Sequence, residues 1–183
     1  MRRMLSVAAV TAGAAIVLAI VLFGRTHSGD IHEPKLSLPP PAERSAAPAF
    51  DETTLSGRKV SLAAYRGKPL VINFFAAWCY PCRQEAPELV HLHQKFGNRI
   101  GLVSVAVRTD HRSSLDDFIH AHDMSWPVVW DRSGSLLGPY RVVGQPITYL
   151  IDAQGRVVFR ILGQTTERRI GGVLDKLLET RSE

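Results

Sequence analysis

Residues 74–89 read FFAAWCYPCRQEAPEL, and both cysteines of the chain, Cys79 and Cys82, stand in this stretch with two residues between them. What flanks the pair decides how it is read. The preceding run, KPLVINFFAAW, is continuously apolar, the pattern of a strand buried on both faces. After the pair, Leu89, Leu92 and Phe96 recur at helical spacing, which predicts a helix over Tyr80–Phe96 with a kink at Pro87. The cysteines therefore fall where a buried strand hands over to a helix.

Such a pair can be a structural staple, half of a metal site, or a redox centre. As a staple it closes too short a loop to remove much chain entropy. As a metal site it lacks partners at ligand spacing. His91 and His93 are two positions apart on a helix and point different ways, His120 and His122 repeat the problem, and all four are read as surface histidines. A redox role fits the position. Free N–H groups and the partial positive charge of a helix amino end favour a thiolate, so Cys79, expected to be exposed there, is the natural nucleophile. Cys82, nearly one turn further in, is placed to attack a mixed disulfide on Cys79 and release the product.

Outward from this centre the 183-residue chain divides in three. Residues 1–24 are expected to be a cytoplasmic n-region and a transmembrane signal anchor. The uncharged run Leu5–Phe23 would span about 28 Å as a helix, close to a bilayer core. Arg2 and Arg3 would keep its amino end in the cytoplasm, and no good small-x-small cleavage site follows. Residues 25–48, with Pro39, Pro40 and Pro41, read as a Pro-rich linker. Residues 49–183 are the folded domain, which this topology places on the extracytoplasmic side, where disulfide chemistry is possible. The net charge of +5 comes from scattered lysines and arginines, so nucleic acid is not implied. Two cysteines exclude a disulfide-rich framework.

Within the domain, TTLSGRKVSL predicts a hairpin turning at Ser56–Gly57. Arg99–Val107 is a second buried strand, and Ser113 or Ser114 is expected to cap a second helix. WPVVWD predicts a short strand, and SGSLLGPYRV a turn and a short helix. QPITYLID and RVVFRILG predict an antiparallel hairpin joined at AQG, followed by a last helix opening at Thr165. Gly171 and Gly172 inside that helix point to close packing on the sheet. The order predicts an α/β domain with a central mixed sheet, helices on both faces and an N-terminal β-hairpin extension.

VINFFAAWCYPCRQEAPEL, followed much later by GQPITYLID, resembles the active-site segment and cis-proline strand of the membrane-anchored thioredoxin-like proteins of the TlpA, ResA and DsbE (CcmG) group. The resemblance spans about residues 49–180 and implies a thioredoxin-like fold and thiol-disulfide oxidoreductase activity. It implies that Cys79 attacks, that Cys82 resolves, and that Pro146 is a cis-proline facing the disulfide. It further implies that Gln145 offers backbone hydrogen bonds to a substrate strand, and that Trp78, Tyr80 and Pro81 edge the docking surface. Glu85 matches an acidic residue that many of these reductants carry below the cysteine pair. Ile147 stands where threonine is usual after the cis-proline. Asn73 stands where cytosolic thioredoxins have a buried aspartate, and this agrees with the anchored group.

The direction of electron flow follows from which form is stabilised. Pro81 supplies neither a cation nor an N–H beside the thiolate, and Glu85, on the same helix face as Cys82, opposes thiolate formation and can take a proton from Cys82. Both features favour a reductant over an oxidase, the serious alternative. The resemblance implies disulfide-containing protein substrates, apocytochrome c among them in cytochrome c biogenesis. It also implies electrons from a membrane thiol carrier of the CcdA or DsbD type. A monomer without metal or cofactor is expected. A thiol peroxidase would need a threonine where Ala76 stands, and a Sco-like copper carrier would need three residues between its cysteines.

Overall fold

The computed structural model describes residues 37–107 and 111–180. The expected anchor, residues 1–24, lies outside them. Among the described residues no helix is long and apolar enough to cross a membrane.

The central sheet has five strands in the order β5-β4-β3-β6-β7. These are β3 (Leu70–Phe75), β4 (Gly101–Val107), β5 (Val128–Asp131), β6 (Ile147–Ile151) and β7 (Val157–Leu162). β3, β4 and β5 run parallel, whereas β6 is antiparallel to both β3 and β7. Every residue of β3, β4 and β6 is buried, as their unbroken apolar runs require of central strands covered on both faces.

The helices α1 (Tyr80–Phe96), α2 (Arg112–Ala121) and α3 (Glu167–Glu179) pack their apolar residues into one core with Val71, Phe75, Leu102 and Ala106. The two right-handed crossovers β3-α1-β4 and β4-α2-β5 advance in the same direction, which places α1 and α2 on one face. The opposite face, lined by Leu70, Ile72, Phe74, Val103 and Val105, is covered by the 3-10 helix Leu62–Tyr65, by Phe50 and Val60 of the N-terminal hairpin, and by Leu136 and Tyr140. That hairpin pairs β1 (Asp51–Thr53) with β2 (Lys59–Ser61) and turns through Gly57 at φ +83°, as its sequence predicts.

Four local expectations are corrected. The second helix is preceded by His111, whose side chain makes no cap, so Ser113 and Ser114 lie inside the first turn. The segment after Asp131 is a series of turns rather than a helix, because the Asp131 carboxylate accepts the amides of Ser135 and Leu136 and holds the chain in a local loop. The last helix is capped by Thr166, whose hydroxyl accepts from the Arg169 amide, and Thr165 lies before it. Gly171 packs closely, but against side chains of its own helix and of α1 rather than the sheet: a Cβ there would lie 2.7 Å from Oε1 of Glu167 in α3 and 3.2 Å from Nζ of Lys95 in α1, whereas Gly172 is open.

Part of the stretch read as linker joins the domain. Arg44 donates to the Pro39 carbonyl and pairs with the buried Asp152 carboxylate at 3.2 Å. The Ala47 amide donates to Gly155, Ser45 accepts from the Val157 amide, and Tyr140 Oη donates to the Pro48 carbonyl at 2.6 Å. α1 runs unbroken through Pro87.

Candidate active site

β3 ends at Phe75, the buried Ala76 and Ala77 follow, and the chain turns at Cys79, whose amide donates to the Ala76 carbonyl at 3.1 Å. Cys79 is the N-cap of α1, and its Sγ accepts the Cys82 amide at 3.2 Å. Pro81, in the first turn, contributes no N–H, so the donor at the sulfur comes from Cys82. The two cysteines form a disulfide with Cα atoms 5.3 Å apart.

Cys79 is 4% exposed and Cys82 2%. The expectation of an exposed Cys79 is corrected for this disulfide state: the sulfur folds back over the helix end onto the Cys82 amide. What stands out into solvent is the pair of aromatic side chains beside it, Trp78 at 59% and Tyr80 at 68%. Pro81 is exposed as well.

The strand register brings the second predicted segment to the same end of the sheet. Phe74 near the end of β3 pairs with Ile147 at the start of β6, and Ile147 pairs with Leu162 at the end of β7. The Gln145–Pro146 peptide is cis, Pro146 is buried, and its carbonyl accepts the Gly163 amide at 2.9 Å. Gln145 is half-buried. Val143 and Leu162, flanking this segment, are exposed apolar side chains like Trp78 and Tyr80.

Beside Trp78 opens a cavity of about 430 Å³, lined among others by Arg83, Asp117, Phe118 and His122. Arg83 donates through Nε to the Ala77 carbonyl at 3.0 Å. His122 packs against Phe118 with its ring tilted to it, and burial, then the Arg83 charge, hold its pKa below the usual histidine range. His93 likewise meets Trp126 at 5.5 Å between ring centroids, so these two histidines are half-buried packing residues while His91 and His120 are exposed.

Glu85 lies one turn past Cys82 and is only 1% exposed. Its carboxyl is bound from two elements. Asn73 Nδ2 on β3 donates to Oε2 at 2.8 Å and also to Thr148 Oγ1 on β6 at 3.1 Å, and the Thr165 amide before α3 donates to Oε1 at 3.0 Å. Burial raises its pKa to about 7, against the opposing pull of these polar neighbours. The Glu88 carboxylate, one turn on, accepts the Glu167 amide at 2.8 Å, so two carboxylates of α1 serve the free amides at the start of α3. Sequence reasoning singled out Glu85 and Asn73 but not the link from Asn73 to Thr148, and it read Thr165 as the opening of the last helix rather than as an amide donor to Glu85.

The sequence profile of the AhpC/TSA family matches residues 44–160, more than half of the chain. The chain belongs to the AhpC/TSA family. Within it, the chain is 33% identical over 132 residues to the thiol-disulfide oxidoreductase ResA of Bacillus cereus (strain ZK / E33L), covering 72% of this chain and 76% of the relative. It is 33% identical over 135 residues to the thioredoxin-like protein YneN of Bacillus subtilis, covering 73% and 79%. The crystal structure of a DsbF homologue from Corynebacterium diphtheriae superposes with a TM-score of 0.68 at 26% identity, covering 79% of this chain and 96% of that one.

This AhpC/TSA-family protein is thus a thioredoxin-like thiol-disulfide oxidoreductase of ResA type. At position 76, where a family peroxidase needs a hydroxyl, it has a fully buried alanine.

Proposed function

We propose that the protein is an extracytoplasmic reductant of protein disulfides, working through Cys79 and Cys82 with Glu85 as the proton acceptor. The Cys79 thiolate attacks a client disulfide sulfur; a Cys79–client bond forms, and the first client sulfur leaves as a thiolate. The Glu85 carboxylate takes the proton of Cys82, whose thiolate attacks Cys79 Sγ. The Cys79–Cys82 disulfide forms, the second client sulfur leaves, and two electrons have passed from the dithiol to the client. Trp78, Tyr80 and Pro81 on one side, and Gln145 with Pro146 on the other, edge the surface that receives an extended client segment.

The buried Glu85 carboxyl below Cys82 is the observation that carries this reading. A group with a pKa of about 7 is half-ionised at neutral pH, where a general base is most useful. When ionised, its charge disfavours thiolate at the pair, as does the amide missing at Pro81, and both lower the tendency to oxidise. The resemblance of the Cys79–Cys82 and Pro146 segments to the TlpA, ResA and DsbE group supports a client such as oxidised apocytochrome c and an electron supply from a membrane carrier of the CcdA or DsbD type. The Arg2–Arg3 run before Leu5–Phe23 supports a single-pass anchor, with the domain outside the cytoplasm.

An oxidase is the second reading, because the Cys82 amide aimed at Cys79 Sγ favours the thiolate and hence the reduced form. The Cys79–Cys82 reduction potential, equilibrated against a dithiothreitol buffer, separates the two. A value toward the roughly −270 mV of thioredoxin supports the reductant, and one near the roughly −120 mV of DsbA supports the oxidase.

A further inference from the structure

The strap of chain between β7 and α3 is fastened to the active-site end of the fold by three of its backbone amides. Gly163 donates to the Pro146 carbonyl at 2.9 Å, Thr165 to Glu85 Oε1 at 3.0 Å, and Glu167 to Glu88 Oε2 at 2.8 Å. The last two bonds form a matched set. Thr166 between them is extended, with φ −123° and ψ 156°, so the amides on either side of it leave the chain in one direction, roughly 6.5 Å apart. On α1, Glu85 and Glu88 are three positions apart, on one face and roughly 5–6 Å from each other at their Cβ atoms. Two carboxylates of one helix thus meet two amides of one strap side by side. Glu167 begins α3, and its amide is one of those that a helix cannot satisfy from within. Thr166 Oγ1 takes the Arg169 amide instead, at 3.3 Å, which leaves the Glu167 amide to Glu88. Glu85 is buried beneath the cysteines, whereas Glu88 is half-buried and lies one turn further from them.

We propose that Glu88 is a positioning residue for Glu85: by holding the Glu167 amide it fixes the strap where the Thr165 amide reaches the Glu85 carboxyl. The inference rests on the reading of Glu85 as the proton acceptor for Cys82. An amide that donates to a carboxyl stabilises its ionised form, the form that accepts a proton. After burial, which raises the Glu85 pKa, the Thr165 amide is the strongest influence on it, and it acts downward. Through the strap, Glu88 therefore favours ionised Glu85. Its own negative charge, acting directly across one helical turn, would disfavour it. The two routes have opposite signs, and that makes them separable. The other groups around the carboxyl are accounted for. Asn73 and Thr148 on the sheet are uncharged, and Cys82 on α1 is held in the disulfide. The first turn of α3 carries Glu167, Arg168 and Arg169, and no charged side chain is among the causes that shift Glu85. Lys95 and Glu167, paired at 2.8 Å, also join α1 to α3, but at the surface, where such a pair is worth little.

The test is a pH titration of the Glu85 carboxyl in the oxidised full-length chain by infrared difference spectroscopy, with the band assigned by its loss in Glu85→Gln. Glu88→Ala removes both the charge and the acceptor, and the midpoint should rise by about one pH unit, the scale of one weakened hydrogen bond to a carboxylate. Glu88→Gln removes the charge but keeps an acceptor for the Glu167 amide, and should titrate at or slightly below the parent. Glu88→Leu is a second acceptor-free variant, expected to shift like Glu88→Ala and usable if the latter does not fold. Lys95→Ala cuts only the surface pair and should leave the midpoint in place. The proposal is overturned by a midpoint that stays or falls in a folded acceptor-free variant, by a glutamine variant that rises as far, or by an equal rise in Lys95→Ala. The pH profile of client-disulfide reduction is read on the same proteins and should move up with the midpoint. If the infrared midpoint rises in the acceptor-free variants and the rate profile does not follow, Glu88 retains its role and the reading of Glu85 as the proton acceptor falls instead.

Discussion

Asn73 and Glu85 are joined by a 2.8 Å hydrogen bond in the protein interior, the amide of one donating to the carboxyl of the other. An aspartate in place of Asn73 would set two carboxyl groups against each other in a site that water does not reach, and they could not both ionise. The asparagine leaves a single titrating carboxyl beneath the cysteine pair and supplies a donor to it. Glu85 can thereby exchange a proton near neutral pH without a second acid competing for it.

The division of labour between the cysteines should be visible by trapping. Cys82→Ser leaves the first attack intact and removes the resolving thiol, so mixed disulfides with client proteins should accumulate on Cys79. Cys79→Ser should trap almost nothing. Non-reducing gels after acid quenching read the difference, and equal trapping by both variants would contradict the assignment.

Glu85 should make stability fall with rising pH. Its folded pKa, about 7, lies above the ordinary carboxyl value of 4.5. Between those values the folded state binds more protons than the unfolded state, so stability declines across that window and levels off above it. At about 1.4 kcal/mol per pH unit the loss is roughly 3 kcal/mol. Glu85→Gln removes this dependence. Urea unfolding of the oxidised protein at pH 4.5 and pH 8 should show the parent losing stability relative to the variant by that order. The variant should also reduce client disulfides more slowly at neutral pH, within the range of about 10²–10⁴-fold typical of a lost general base.

The two glycines of α3 should respond differently to alanine. Gly172 is exposed and a Cβ there meets nothing within 4 Å, so Gly172→Ala should raise stability by roughly 0.8–1 kcal/mol through helix propensity alone. Gly171→Ala would push on Glu167 Oε1 and Lys95 Nζ, which pair at 2.8 Å, so its gain should be smaller or absent. Thermal melts of the two variants against the parent decide this.

Topology is checked by fusion. Alkaline phosphatase joined after Pro48 should be active if residues 1–24 anchor the chain with its domain outside the cytoplasm. An inactive phosphatase together with an active cytoplasmic reporter at the same site would reverse that orientation.

Much of this protein is written locally. The apolar run into β3, the helical spacing after it, and cysteines at the junction determine a redox pair at a helix amino end, because each of those signals acts within a few residues. The Gly57 and Gly155 turns and the β6–β7 hairpin are legible for the same reason. Caps proved harder to place: Thr165, Thr166, Ser113 and Ser114 all have the chemistry for one, and only the packing of α2 and α3 selected among them. The Asp131 loop was misread as a helix because a carboxylate that captures amides downstream of it overrides a weak helical pattern.

Sequence alone placed Glu85 on the helix face of Cys82, yet its chemistry depended on what came to meet it. Thr148 lies 63 positions away and the Thr165 amide 80 positions away. The β3–β6 register sets Thr148 against Asn73, the docking of α3 on α1 brings the Thr165 amide to the carboxyl, and burial among them raises its pKa. The chain's own order determined where the cysteines sit and what they are. The tertiary structure decided the protonation of the group beneath them, because desolvation and hydrogen bonding belong to the assembled interior and to no single segment of it.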